Sequence, residues 1–195
     1  MPRVYGSAAI AALFSVLGVG ALTASGTQSD QRGPDFKVQI WGEVSIEFRD
    51  RIDAYAELRR KLERGLPPLR TTDDARELVQ RVRRLGEKIR AARRSAKEGD
   101  VLTPAVSAAF RKALAVETNP TTCAALLDEN PGKMGIRIND TYPTHKPFST
   151  MPPNVLAALP PMPDDIEYRL EGQHLLLIDV RARLVIDRMT FAVQC

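Results

Sequence analysis

Metal-binding and redox-active residues are scarce in this chain of 195 residues, which has two cysteines, two histidines and one tryptophan. Cys123 and Cys195 form no CxxC pair, so neither a zinc ribbon nor a thioredoxin-like redox centre is written here. His145 and His174 stand 29 positions apart, and no HExxH joins them. Aromatic residues make up 6% of the chain, which argues against a stacking platform for bases or sugars. There is no GxSxG nucleophile elbow, no GxxxxGK phosphate loop and, beyond residue 26, no GxGxxG. No apolar run reaches the roughly 20 residues that span a bilayer. With no cofactor motif and no catalytic residue to name, the chain is expected to be non-enzymatic.

What is present suits a folded core. Hydrophobic residues make up 44% and charged residues 27%, both ordinary for a globular chain. The net charge is +4, a mild excess whose placement matters more than its size.

Residues 1–26 have the form of a signal peptide. Arg3 supplies a positive start, Ala8–Val19 an apolar run of 12 residues, and Ala24-Ser25-Gly26 small residues for cleavage. An N-terminal membrane anchor is the lesser alternative. The expected location is therefore the periplasm or the exterior. Residues 27–34 are polar and read as a disordered leader.

Residues 35–98 read as a helical hairpin. In the first arm Trp41, Val44, Phe48, Ile52, Tyr55, Leu58 and Leu62 recur at steps of three and four, which gathers them on one stripe. The alternation of Phe36, Val38 and Ile40, together with Gly42, makes its start the least defined part. Gly65-Leu66-Pro67-Pro68 breaks the arm, with Gly65 suited to a C-terminal cap. The second arm begins near Thr71 or Thr72, where Thr71 with Asp74 has the form of a capping box. Its seam runs through Ala75, Leu78, Val82, Leu85, Ile89, Ala92 and Ala96 as a regular heptad, to an end at Glu98-Gly99-Asp100. A short loop between such arms predicts an antiparallel pair, and self-association through the seam is the other way to cover it.

The second arm is also the basic part of the chain. From Arg70 to Lys97 there are ten bases against four acids. Arg81, Arg83, Arg84, Lys88, Arg90, Arg93, Arg94 and Lys97 lie mostly off the seam. The bases crowd the last turns, as the helix dipole prefers. They form either a solvated face or a contact for a polyanion. In an exported protein the anions within reach are envelope phosphates, acidic polysaccharide or anionic lipid; no nucleic acid is expected, and no nucleic-acid motif accompanies the run.

Residues 99–195 read as short helices followed by a β module. Thr103-Pro104 and Asn119-Pro120 each pair a capping side chain with Pro at the first helical position. The first of these helices faces inward through Val106, Phe110 and Leu114 and ends near Val116; the second ends near Leu127. Ile136–Ile138 is a candidate strand. Asn139-Asp140-Thr141 fits a glycosylation sequon, which has meaning only in a eukaryotic secretory route. Thr150 is placed to cap a short helix from Pro152 or Pro153 to Leu159. Ile166, Tyr168 and Leu170 alternate with charges as a half-exposed strand. His174–Val180 is almost wholly apolar and reads as the central strand, and a third strand runs from Leu184 to Asp187 and on towards Phe191 and Val193. The fold class is thus α+β: an N-terminal antiparallel helical hairpin, short helices, then a small C-terminal antiparallel sheet.

The tail STMPPNVLAALPPMPDDIEYRLEGQHLLLIDVRARLVID resembles that of uncharacterised exported bacterial proteins. Within it, EYRLEGQHLLLIDVRARLVID is more distantly similar to the final hairpin of RcnB-type periplasmic proteins. The resemblance implies a small β module and an envelope location. That family's role in nickel and cobalt homeostasis makes a metal-responsive periplasmic protein the alternative function. A metal site would have to combine His145 and His174 with Asp179 or Asp187, and no ligand is assigned. Asp164-Asp165 reads as a turn rather than a catalytic carboxylate pair. Cys123 and Cys195 either pair in an oxidising envelope or remain as a buried and a free thiol.

Overall fold

The computed structural model describes residues 34–68, 74–129, 135–143 and 151–195. The expected signal segment, residues 27–33 of the expected leader, Thr71, His145 and Thr150 lie outside the described residues. Helix α1 covers Pro34–Arg64, α2 Ala75–Ala92, α3 Pro104–Glu117, α4 Pro120–Glu129 and α5 Pro153–Ala157. Strands β1 (Ile166–Glu171), β2 (His174–Asp179) and β3 (Leu184–Met189) form an antiparallel sheet in the order β1-β2-β3. The fold is α+β.

α1 is interrupted at Gly42, whose backbone leaves helical geometry, as a residue without a side chain permits most readily. Beyond it Phe48, Ile52, Tyr55 and Ala56 bury one face. α2 runs antiparallel to α1: Arg81 near its start reaches Glu63, and Arg93 at its end lies over the Tyr55 ring. The predicted hairpin is therefore present, but its seam is half used. Leu85 and Ile89 are buried, whereas Leu78 is 44% and its neighbour Val79 67% exposed.

Both predicted ends of α2 require correction. The N-cap is Asp74, whose carboxylate accepts from the Arg76 N–H at 2.9 Å. The helix stops at Ala92, so Ala96 and Lys97 lie past its end. Two polar ties draw the chain away there. Arg93 turns into the sheet, and the Lys97 N–H donates to Asp100 at 2.8 Å. α1 ends at Arg64 with Gly65 directly after it, as expected, though without the positive φ seen among the described residues at Gly99, Gly135 and Gly172.

α3 follows its prediction. The Thr103 hydroxyl accepts from the Val106 N–H, and Val106, Phe110 and Leu114 are buried. α4 extends to Glu129, two residues past its expected end, with the Asn119 side chain accepting from the Thr122 N–H at 2.9 Å. α5 ends at Ala157, with Pro152 at its cap position.

β2 is the central strand and is covered on both faces, which explains its unbroken apolar run. Leu175 and Leu177 join the main core with the helices; Leu176 and Ile178 join Ile136, Tyr142 and Val185 in a second cluster. The main core runs from Phe48 to Val193, so the hairpin and the sheet share one interior. At its centre Phe48 meets Phe110 edge-on at 5.1 Å and stacks on Tyr168 at 6.5 Å. The predicted strand Ile136–Ile138 is absent. The pairing with β3 falls later, through Asn139, Asp140 and Tyr142, because Asn139 adopts φ 62° and turns the chain alongside Val185. β3 ends at Met189, and Phe191, at φ 51°, turns outward to 61% exposure instead of extending it.

Cys123 and Cys195 are joined, with their Cα atoms 5.3 Å apart. Of the two states left open by the sequence, the structure has the bonded one. The bond ties α4 to the chain's last residue.

Candidate functional site

The eight bases singled out on the second arm divide into two groups. Arg83 pairs with Glu87 at 2.9 Å, one turn on in its own helix. Arg81 donates to the Pro67 carbonyl and lies 3.6 Å from Glu63. Arg90 donates to the Thr141 hydroxyl at 2.8 Å. Arg93 is the most committed: it donates to Asn139 Oδ1 at 3.0 Å and to the Ile186 carbonyl at 2.9 Å, with its guanidinium 5.1 Å from the Tyr55 ring centre. Burial pulls its pKa down, opposed by Tyr55, Asp187 and Asp100. Arg93 is thus a strut between α2 and the sheet. Arg84, Lys88, Arg94 and Lys97, by contrast, are exposed and make no ion pair or side-chain hydrogen bond among the described residues. Arg84 sits on the side of α2 away from its buried residues Leu85, Gly86 and Ile89, Lys88 reaches towards Gly65, and Arg94 stands just past the helix end. Lys97 follows the helix end.

A second set of charges was not legible as a site. Tyr55 donates to Asp179 at 2.9 Å, and the Ala182 N–H donates to the same carboxylate at 2.8 Å. Arg59 lies 3.9 Å from Asp179, beyond hydrogen-bonding distance, and bonds Asp165 at 2.9 Å. Arg181 joins Asp165 at 3.2 Å to Glu63 at 3.0 Å. Burial raises the Asp179 carboxyl above its ordinary range, against the hydrogen bonds from Ala182 and Tyr55 and the charge of Arg59. Burial likewise raises the Tyr55 hydroxyl well above its usual value, helped by the Asp179 charge. Burial also pushes on Asp165, but hydrogen bonds from Arg59 and Arg181 prevail and lower it. Asp179 is 0% exposed. Its chemistry is that of a lock: it fixes α1 on the turn after β2.

Asp187 does the same for the loop after α2. Its carboxylate accepts from the N–H groups of Gly99 at 2.9 Å, Val101 at 2.7 Å and Leu102 at 2.8 Å. Gly99 presents its N–H at φ 90°, a conformation costly for residues with a side chain. The register shift between Leu177 and Ile178 places Asp187 opposite Leu177 and leaves Ile186 unpaired in the ladder, and Arg93 takes up its carbonyl.

The chain matches no family model, no curated protein and no solved structure. Function must therefore be argued from the residues. For a metal centre, no group of three or more His, Cys, Asp or Glu side chains converges among the described residues. Asp179 and Asp187 are occupied as above, and His174 Nδ1 accepts from the Phe191 N–H at 3.2 Å. Asn139, the sequon residue, bonds Arg93 through both ends of its amide, so a glycan there would break the strut. No described helix is long and apolar enough to cross a membrane. The Asp179 and Asp187 roles did leave one signal, an acid closing each of two apolar runs, HLLLID and LVID. A charge inside a core strand is the informative exception to apolar burial.

Proposed function

We propose that the protein is an exported envelope protein that binds or scaffolds without catalysis, contacting polyanions through the outer face of α2. The single observation that carries this reading is the division of the bases. The fold engages Arg81, Arg83, Arg90 and Arg93 in hydrogen bonds or ion pairs and leaves Arg84, Lys88, Arg94 and Lys97 exposed, with no ion pair among the described residues. Cations on a fixed helix raise the local concentration of an anionic surface without a shaped pocket. The Cys123–Cys195 bond supports the export reading, since such bonds persist in oxidising compartments.

The test is co-sedimentation with vesicles of equal parts phosphatidylglycerol and phosphatidylcholine at increasing salt. Binding is expected at low salt and should fall steeply as the screening length shortens. The triple variant Arg84→Gln/Arg94→Gln/Lys97→Gln should bind roughly a hundredfold more weakly at low salt. Salt-independent binding, or equal binding by the variant, refutes the reading.

A further inference from the structure

At the turn end of the hairpin, Arg60, Glu63, Arg64, Leu66, Pro68 and Arg81 line a cleft of about 510 Å³. Arg60 and Arg64 stand one helical turn apart on α1, exposed and with no ion pair or hydrogen bond among the described residues. Arg81 enters from α2, its head steadied by the Pro67 carbonyl. Glu63, the acid among the described residues that line the cleft, pairs with Arg181 at 3.0 Å and lies 3.6 Å from Arg81. Three arginines therefore line a space whose acid among the described residues, Glu63, is shared with Arg181. Lys88 adds charge at the rim, its Nζ 3.8 Å from where a side chain on Gly65 would begin. Leu66 and Pro68 supply an apolar wall. Arg59, next to Arg60 in the chain, is buried and bonded to Asp165 at 2.9 Å, which ties this turn of α1 to the sheet end of the molecule.

Arginines drawn from two helices to one cleft suit a compact, multiply charged oxyanion better than a single carboxylate. We infer that this cleft is a discrete site for a phosphate group, carried on a soluble phosphate ester or on a lipid headgroup. The site does not rest on the outer-face reading of α2: that reading needs Arg84, Arg94 and Lys97, and the cleft needs Arg60, Arg64 and Arg81.

The test titrates the full chain with inorganic phosphate by calorimetry, comparing wild type with Arg60→Gln/Arg64→Gln and with the α2 triple variant. Wild type should bind one phosphate saturably. The Arg60/Arg64 variant should lose about tenfold or more of that affinity, as two charge-assisted contacts disappear, whereas the triple variant should change by less than about twofold. Amide shifts in the wild-type chain give an independent readout and should concentrate at residues 60–68 and Arg81. Vesicles containing phosphatidic acid, whose headgroup is a phosphomonoester, then separate the sources. Parallel loss of vesicle binding in the Arg60/Arg64 variant assigns a headgroup, and unchanged vesicle binding assigns a soluble ester. Absence of saturable phosphate binding by wild type, or equal affinities in the two variants, overturns the site, whatever the triple variant does on vesicles.

Discussion

The two sides of α2 use the same residue type in opposite ways. On the sheet side, Arg93 is held between Asn139, the Ile186 carbonyl and the Tyr55 ring. On the outer side Arg84, and just past the helix end Arg94, make no ion pair among the described residues. A guanidinium in a low-dielectric setting must be satisfied or it destabilises the fold, whereas one in water is nearly neutral for stability and free to meet a partner. Counting bases along the helix does not separate these cases. The partners on the sheet do.

The largest effect expected on breaking the sheet side is at Asp187. Replacing it with Ala leaves the N–H groups of Gly99, Val101 and Leu102 without their acceptor. Each buried donor left unmade costs about 1 to 3 kcal/mol, so Asp187→Ala should lose about 3 to 5 kcal/mol in urea unfolding. A loss below about 1 kcal/mol would mean that water replaces the carboxylate and that the loop is not locked.

This contrast also marks what local pattern reveals. The strands, the hairpin and the Thr103 and Asn119 caps were legible because each depends on spacing within a few residues. The seam of α2 was legible as a stripe but not in its occupancy: Leu85 and Ile89 find the core, while Leu78 and Val79 stay exposed. Asp179 and Asp187 stood out as acids in apolar strands, yet their partners, Tyr55 and the 99–102 loop, lie 124 and up to 88 positions away. No periodicity carries pairing at that range. The cleft was missed for the same reason. Arg60 and Arg64 sit in an arm whose charges balance, and only its juxtaposition with Arg81 makes them an electropositive pair.

A smaller effect on the same buried side is one of pH. The Asp179 carboxyl is raised in the folded chain, so between its unfolded value and its folded value the native state holds a proton that the unfolded state releases. Its contribution is fully present below the ordinary carboxylate pKa of about 3.9 and is lost as pH rises through the folded value. Asp165 is lowered, so its contribution runs the other way, present above that range and lost in acid. Measuring urea stability of wild type and Asp179→Asn from acid to neutral pH separates the two. The stability of wild type relative to the variant should fall as pH rises. A difference that grows with pH would show that Arg59 and the hydrogen bonds outweigh burial at this carboxylate.

The smallest stability effect belongs to the outer side. Arg84→Gln/Arg94→Gln/Lys97→Gln removes no hydrogen bond and no ion pair among the described residues, so its unfolding free energy should stay within about 0.5 kcal/mol of wild type. The same variant is the one expected to lose vesicle binding, and the pairing of outcomes is what gives the contrast its content. If the triple variant instead unfolds markedly more easily, these bases are structural like Arg93, and a fall in vesicle binding would follow from a damaged hairpin. If stability holds while binding falls, the outer side of α2 contributes charge without contributing to the fold, which is the property expected of a surface available to an anionic partner.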